Sequence, residues 1–142
     1  MNQVGTSPIS GGCLCGGVRY TVAGPLRNII ACHCEQCRRS SGHFVAATAC
    51  RKKYFSLEKQ ETLRWFSAVA GFRRGFCNAC GSSLFFEEES GERISIAAGS
   101  LDHPQGLRIE AHIFTSEAGD YYRIDDGAAQ SPLGEHYVTL PR

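Results

Sequence analysis

Apolar and polar residues alternate in short runs along this chain, and no apolar stripe of helical period lasts longer than about three turns. Val18–Val22 (VRYTV) places β-branched and aromatic side chains in period two and predicts a strand, ended by Gly24-Pro25. Residues 28–33 predict a second strand, Glu35–Ser41 a single helical turn closed by Gly42, and residues 44–50 (FVAATAC) a buried strand of small and apolar residues. Residues 54–57, 62–66, 72–76, 83–86 and 107–115, together with Arg93–Ala97, predict further strands separated by polar turns. Residues 87–91 form a charged hairpin tip and residues 99–104 a turn. Residues 1–9 are expected to be a loose leader, residues 10–142 a single domain, and the tail beyond Ser116 mostly irregular. The pattern is mostly β with one or two short helices.

Length and charge narrow the function. A chain of 142 residues is long enough to bury roughly two-thirds of its unfolded surface as one domain. Its formal net charge is only +1, so no strong field draws nucleic acid or an anionic membrane to it. No stretch approaches 18 apolar residues, and the start, MNQVGTSPISGG, has neither a basic segment nor an apolar run of signal-peptide length. A cytoplasmic protein with no nucleic-acid or membrane partner is the expectation.

Cysteine changes the picture more than charge does. The chain has eight. Seven fall into three knots: Cys13 with Cys15, Cys32 with Cys34 and Cys37, and Cys77 with Cys80. Cysteines one and two residues apart make poor disulfide partners, and thiolate metal sites in a reducing compartment fit better. The glycines of Ser10-Gly-Gly-Cys-Leu-Cys-Gly-Gly17 and of Cys77-Asn-Ala-Cys80-Gly81 permit the tight turns of metal knuckles. Two knots of two compose a closed four-sulfur site that staples the N-terminal strand to the second half of the domain. The knot of three then keeps an open position, as in catalytic zinc sites. An ordinary ribbon pairing of Cys34/Cys37 with Cys77/Cys80 also satisfies the spacing but strands Cys13, Cys15 and Cys32. Thiolate sites accept iron as well as zinc.

GGCLCGGVRY, CHCEQCRRSSG, GFCNACGSSL and AGSLD, in this order, resemble the glutathione-dependent formaldehyde-activating enzyme family, which includes the centromere protein V type of domain. The resemblance implies folded β-sheets in a β-tent-like arrangement and two Zn²⁺ per chain. It implies a structural zinc on Cys13, Cys15, Cys77 and Cys80 and a catalytic zinc on Cys32, Cys34 and Cys37. The implied activity is a carbon–sulfur lyase or synthase resembling S-(hydroxymethyl)glutathione synthase, acting on a small thiol, glutathione or similar, and an aldehyde adduct. The alternative is a non-catalytic zinc-binding interaction module of the same fold.

Other residues have modest claims on the site. His33, between two expected ligands, is expected to turn its ring away, and Glu35 to be a solvated first-turn carboxylate. His33-Cys-Glu35 followed by a CxxC superficially matches a zinc deaminase, but Phe76 stands where proline belongs. One or two of Arg38, Arg39, Arg73 and Arg74 are expected to face the site, where guanidinium forks suit carboxylates. His43 is close enough in sequence to line a pocket. Cys50 reads as a buried free thiol, His112 as a satisfied core histidine, Trp65, Phe66 and Phe72 as core, and Asp125-Asp126-Gly127 as a turn.

Overall fold

The structure, a computed structural model, describes residues 8–134; residues 1–7 of the expected leader and the last residues of the tail lie outside them. Two open sheets and one short α-helix make up the described residues, so the chain is mostly β. The smaller sheet is antiparallel, with β1 (Ile9–Gly12), β2 (Val18–Val22) and β5 (Phe55–Gln60) in that order. The larger has eight strands, built on β3 (Ile29–Cys32) and β4 (Val45–Arg51) at its middle. On the β4 side follow β9 (Arg93–Ala97), β8 (Ser83–Glu88), β7 (Phe72–Cys77) and the edge strand β6 (Leu63–Phe66). On the β3 side lie β10 (Ile109–Ile113) and β11 (Ala129–Ser131), and these two pairings alone are parallel. The helix α1 (Glu35–Ser41) fills the connection between β3 and β4.

The core forms where the small sheet packs on one face of the large one. Strand β2 shows why: Val18, Tyr20 and Val22 alternate with the half-buried Arg19 and Thr21 and are all fully buried. From the large sheet, Cys50, Leu84, Phe85, Ile94 and Ile96 meet them. Tyr20 packs its ring edge-on to Phe85 at 5.4 Å and stacks on Phe55 at 5.6 Å. Its hydroxyl reaches Ser100 Oγ at 2.7 Å, and burial pushes its pKa up to about 12. Each fully buried aliphatic or aromatic side chain here contributes about 1.5–3 kcal/mol.

The opposite face of the large sheet is built differently. Val45 and Ala47 of β4, Ser95 of β9 and Ile30 of β3 are small or medium side chains on that face. They leave room for a cavity of about 580 Å³. The FVAATAC run forms a strand, as expected, at Val45–Arg51, but it is buried only over Thr48–Cys50, and its small residues serve the cavity as much as the core.

Several elements differ from expectation. Residues 9–12 form a strand rather than the end of the leader and the start of a knuckle, because Ser10 and Gly12 pair with Thr21 and Arg19. Beyond Ser116 the described residues are mostly irregular, as expected, but the three-residue strand β11 lies among them. Phe66 and Phe72 are not core, being 60% and 38% exposed, since β6 is an edge strand and Phe66 lies on its outer side. Trp65 does pack on the core, with the Arg73 guanidinium 3.9 Å above its ring.

Candidate functional site

Two sulfur clusters are brought together by the fold. Cys13, Cys15, Cys77 and Cys80 place their Sγ atoms within 4.8 Å of one another, as do Cys32, Cys34 and Cys37. The four-cysteine cluster joins the turn between β1 and β2 to the turn between β7 and β8. Both turns rest on glycines in the left-handed region, Gly16 at φ 83° and Gly81 at φ 81°. Cys13 Sγ lies 3.6 Å from Cys15 Sγ, and Cys15 Sγ 3.6 Å from Cys77 Sγ. A disulfide spans about 2 Å, whereas the edge of a tetrahedron with zinc–sulfur bonds of 2.3 Å is roughly 3.8 Å. The spacing therefore suits a tetrahedral metal, and all eight cysteines are free thiols.

The donors around these sulfurs suit thiolates. Val18 N–H donates to Cys13 Sγ at 3.2 Å, and the N–H groups of Ala79 and Cys80 donate to Cys77 Sγ at 3.4 Å each. The Thr62 hydroxyl holds the Cys77 pKa below its ordinary value, and hydrogen bonds from the Ser82 side chain and backbone bring Cys80 down to about 5.

The three-cysteine cluster is assembled by α1. Cys34 is the N-cap, and its Sγ accepts from the backbone N–H of Cys37 at 3.4 Å. Capping geometry thus draws the sulfurs at positions i and i+3 together, while Cys32 arrives on the end of β3, opposite Val45. Gly42, at φ 85°, closes the helix as its C-cap. Interaction with Cys32 and then the Arg74 charge bring the Cys37 pKa down to about 6, whereas Cys32 and Cys34 are raised.

All three of these cysteines line the 580 Å³ cavity. No fourth histidine, cysteine or carboxylate among the described residues completes the cluster. Arg74 donates to Cys37 Sγ at 3.8 Å and to Gln36 Oε1 at 3.4 Å, with its guanidinium 4.9 Å from the Phe86 ring. Arg74 is the one arginine of the expected four that reaches the sulfurs. Arg73 instead pairs with Glu87 at 2.7 Å, and Arg39 with Glu35 at 2.9 Å. Glu35 is the largely exposed first-turn carboxylate expected of it, and its backbone N–H is capped by Glu117 Oε1 at 2.8 Å.

His33 lies outside the sulfur cluster, with its ring turned to the other side of the sheet, where it is buried. Asp126 accepts from His112 Nε2 at 2.8 Å, so His112 Nδ1 is left to accept from His33 Nε2 at 2.9 Å, and His33 Nδ1 accepts from the Tyr122 hydroxyl at 2.5 Å. Burial, with His112 and His43 beside it, lowers the His33 pKa to about 4 and keeps the ring neutral. Phe44 packs on His33 at 4.7 Å, and Tyr121 meets His43 Nδ1 at 2.5 Å. The loop carrying the sulfurs is thus clamped from behind by the C-terminal segment. Asp125-Asp126-Gly127 is a turn, as expected, but Asp126 also anchors this chain of hydrogen bonds; no spacing in the sequence connects it to His112 or Tyr122. Cys50 is fully buried, and burial raises its pKa to about 11.

Residues 8–117 match the family model described as glutathione-dependent formaldehyde-activating enzyme. The chain belongs to this family. All seven clustered cysteines fall within the matched residues, whereas Tyr121, Tyr122 and Asp126 lie beyond them. An uncharacterized lyase of Schizosaccharomyces pombe is 28% identical over 113 residues, covering 79% of this chain and 82% of that protein. A crystal structure of a Rhodobacter sphaeroides protein shares the fold, with a TM-score of 0.57 and 24% identity over 68% of this chain and 90% of that one. No helix among the described residues is long and apolar enough to cross a membrane.

Proposed function

We propose that this chain is a zinc-dependent carbon–sulfur lyase or synthase that joins a small thiol to an aldehyde and reverses the step, with glutathione and formaldehyde as the pair the family name suggests. The observation that carries the reading is the three-cysteine cluster facing a 580 Å³ cavity without a fourth protein donor among the described residues. The lyase named among its relatives agrees in reaction class. Cys13, Cys15, Cys77 and Cys80 hold a structural zinc in this account, and Cys32, Cys34 and Cys37 a catalytic one. Held by Cys32, Cys34 and Cys37, zinc would supply the Lewis acidity that lowers the pKa of a thiol, since a free thiol of pKa near 8.5 is only a few per cent ionised at neutral pH.

The chain's own residues do the rest. Arg74, 3.8 Å from Cys37 Sγ, offsets negative charge at the three sulfurs. Ile30, Val45, Phe86 and Ile113 give the cavity apolar walls that exclude water from the reacting pair. Glu117 and Cys34 fix the first turn of α1, which holds Cys37 in place. A concave site beside the sulfurs suits a small substrate better than a docking protein would require.

The test is the rate at which glutathione and formaldehyde interconvert with their S-hydroxymethyl adduct, followed by exchange NMR. The wild-type protein accelerates the exchange in proportion to its concentration, and Cys34→Ser abolishes the acceleration while keeping the fold. Equal acceleration by Cys34→Ser overturns the assignment.

A further inference from the structure

The cavity has two chemically different ends. The three cysteines and Arg74 form one. At the other, Arg27 and Arg93 both line the wall. Arg27 is more than nine-tenths buried, and the hydrogen bonds it donates go to backbone oxygens: Nε to Asn28 O at 3.0 Å and Nη2 to Ala47 O at 2.9 Å. Burial and the neighbouring Arg93 charge lower its pKa to about 10. Glu110 offsets part of this, but does not line the cavity. Arg93 has no side-chain hydrogen bond or ion pair to any described residue. The acids that do line the cavity, Glu35 and Glu117, lie on the helix side and are engaged with Arg39 and the α1 backbone.

Two guanidinium groups facing one cavity end, with no carboxylate in the cavity lining beside them, form an arrangement that an anion entering the cavity relieves. Guanidinium groups match carboxylates and similar oxyanions in geometry, and do so more strongly when desolvated. The sheet register sets the spacing. Cys32 pairs with Val45, and Arg27 bonds Ala47 O, two residues along β4, which is roughly 7 Å. Arg93 pairs with Arg51, four residues further along the strand, and lines the same cavity.

We infer that Arg27 and Arg93 form an anion-recognition site that selects thiols carrying a carboxylate or similar oxyanion at least about 7 Å from the sulfur. The inference rests on the proposed reading that a thiol enters at the three-cysteine cluster. It adds a specificity rule: short thiol acids cannot satisfy both ends, whereas longer acids and peptide thiols with a free C-terminus can.

The experiment titrates thiols into the cobalt-substituted protein and reads affinity from the visible d–d bands. Its probes are 6-mercaptohexanoate against the neutral 6-mercaptohexanol, and mercaptoacetate against 2-mercaptoethanol. The long acid binds at least about 10-fold tighter than the long alcohol, as expected for hydrogen bonds to charged groups. The short acid gains nothing over its alcohol. In Arg93→Gln the acid-to-alcohol ratio for the long pair falls several-fold towards one, and Arg93→Lys retains part of it. Arg93 is an exposed β9 residue, so these variants fold, which two metals per chain verify. Thiols that bind without regard to charge, or a ratio unchanged in Arg93→Gln, overturn the inference while leaving the open cluster intact. If no thiol alters the wild-type spectrum, the reading of the cluster falls and this inference falls with it.

Discussion

At the scale of single residues, the side chains that matter most act on groups already buried or charged. The Tyr122 hydroxyl supplies His33 Nδ1 with its donor inside a closed chain of hydrogen bonds. Tyr122→Phe leaves a buried ring nitrogen without that donor and costs about 1–3 kcal/mol. Tyr121→Phe, at an exposed ring, costs less than about 0.5 kcal/mol. Urea denaturation of the two variants separates them; equal stabilities would mean that the relay does not hold the loop. A second residue-scale effect concerns pH. Arg19 and then Ser10 hold Asp102 down at about 2, against an ordinary carboxylate value of 3.8. Its folded pKa is lower than its unfolded one, so the stabilisation is fully present above pH 3.8 and is lost as pH falls towards 2. Asp102→Asn therefore flattens the acid limb of the stability curve and leaves the slope above pH 5 alone, which thermal melts between pH 2 and 7 measure.

At the scale of elements, the sequence carried the local signals well and the distant ones poorly. Residues 18–22 and 93–97 form strands with the expected bounds, because period-two alternation records one buried face. Gly42 ends α1 as read, since it adopts the left-handed conformation. Strand β1 was hidden because Ser-Gly-Gly has little intrinsic strand preference, and it exists through pairing with β2. Strand β11 is three residues long and is defined by a parallel partner. The sulfur knots were legible because metal ligation forces close spacing, whereas Asp126, Tyr122, Arg27 and Arg93 come from separate elements with no motif between them. The small residues of β4 make one further prediction. Ala47 faces the cavity, so Ala47→Leu fills space that is already empty. Stability then changes by less than about 1 kcal/mol, while the glutathione–formaldehyde exchange rate falls at least about 10-fold. Retention of the wild-type rate would show that the chemistry occurs elsewhere.

At the scale of the whole molecule, one strand of each sheet leads into a sulfur cluster, and the two clusters have different surroundings. The four-cysteine cluster ties the small sheet to the β7–β8 turn and leaves no ligand position over, while the three-cysteine cluster faces a cavity on the opposite face of the large sheet. The core lies between the sheets, so the cavity side can vary without touching it. This division of a stabilising cluster from an accessible one is the central claim, and cobalt substitution tests it most directly. Protein loaded with two cobalt ions per chain is titrated with glutathione while the visible d–d bands are recorded, alongside Cys34→Ser loaded with one. The account predicts a saturable change in the wild-type spectrum and none in Cys34→Ser. A wild-type spectrum that glutathione, formaldehyde and short thiols all leave unchanged would contradict it.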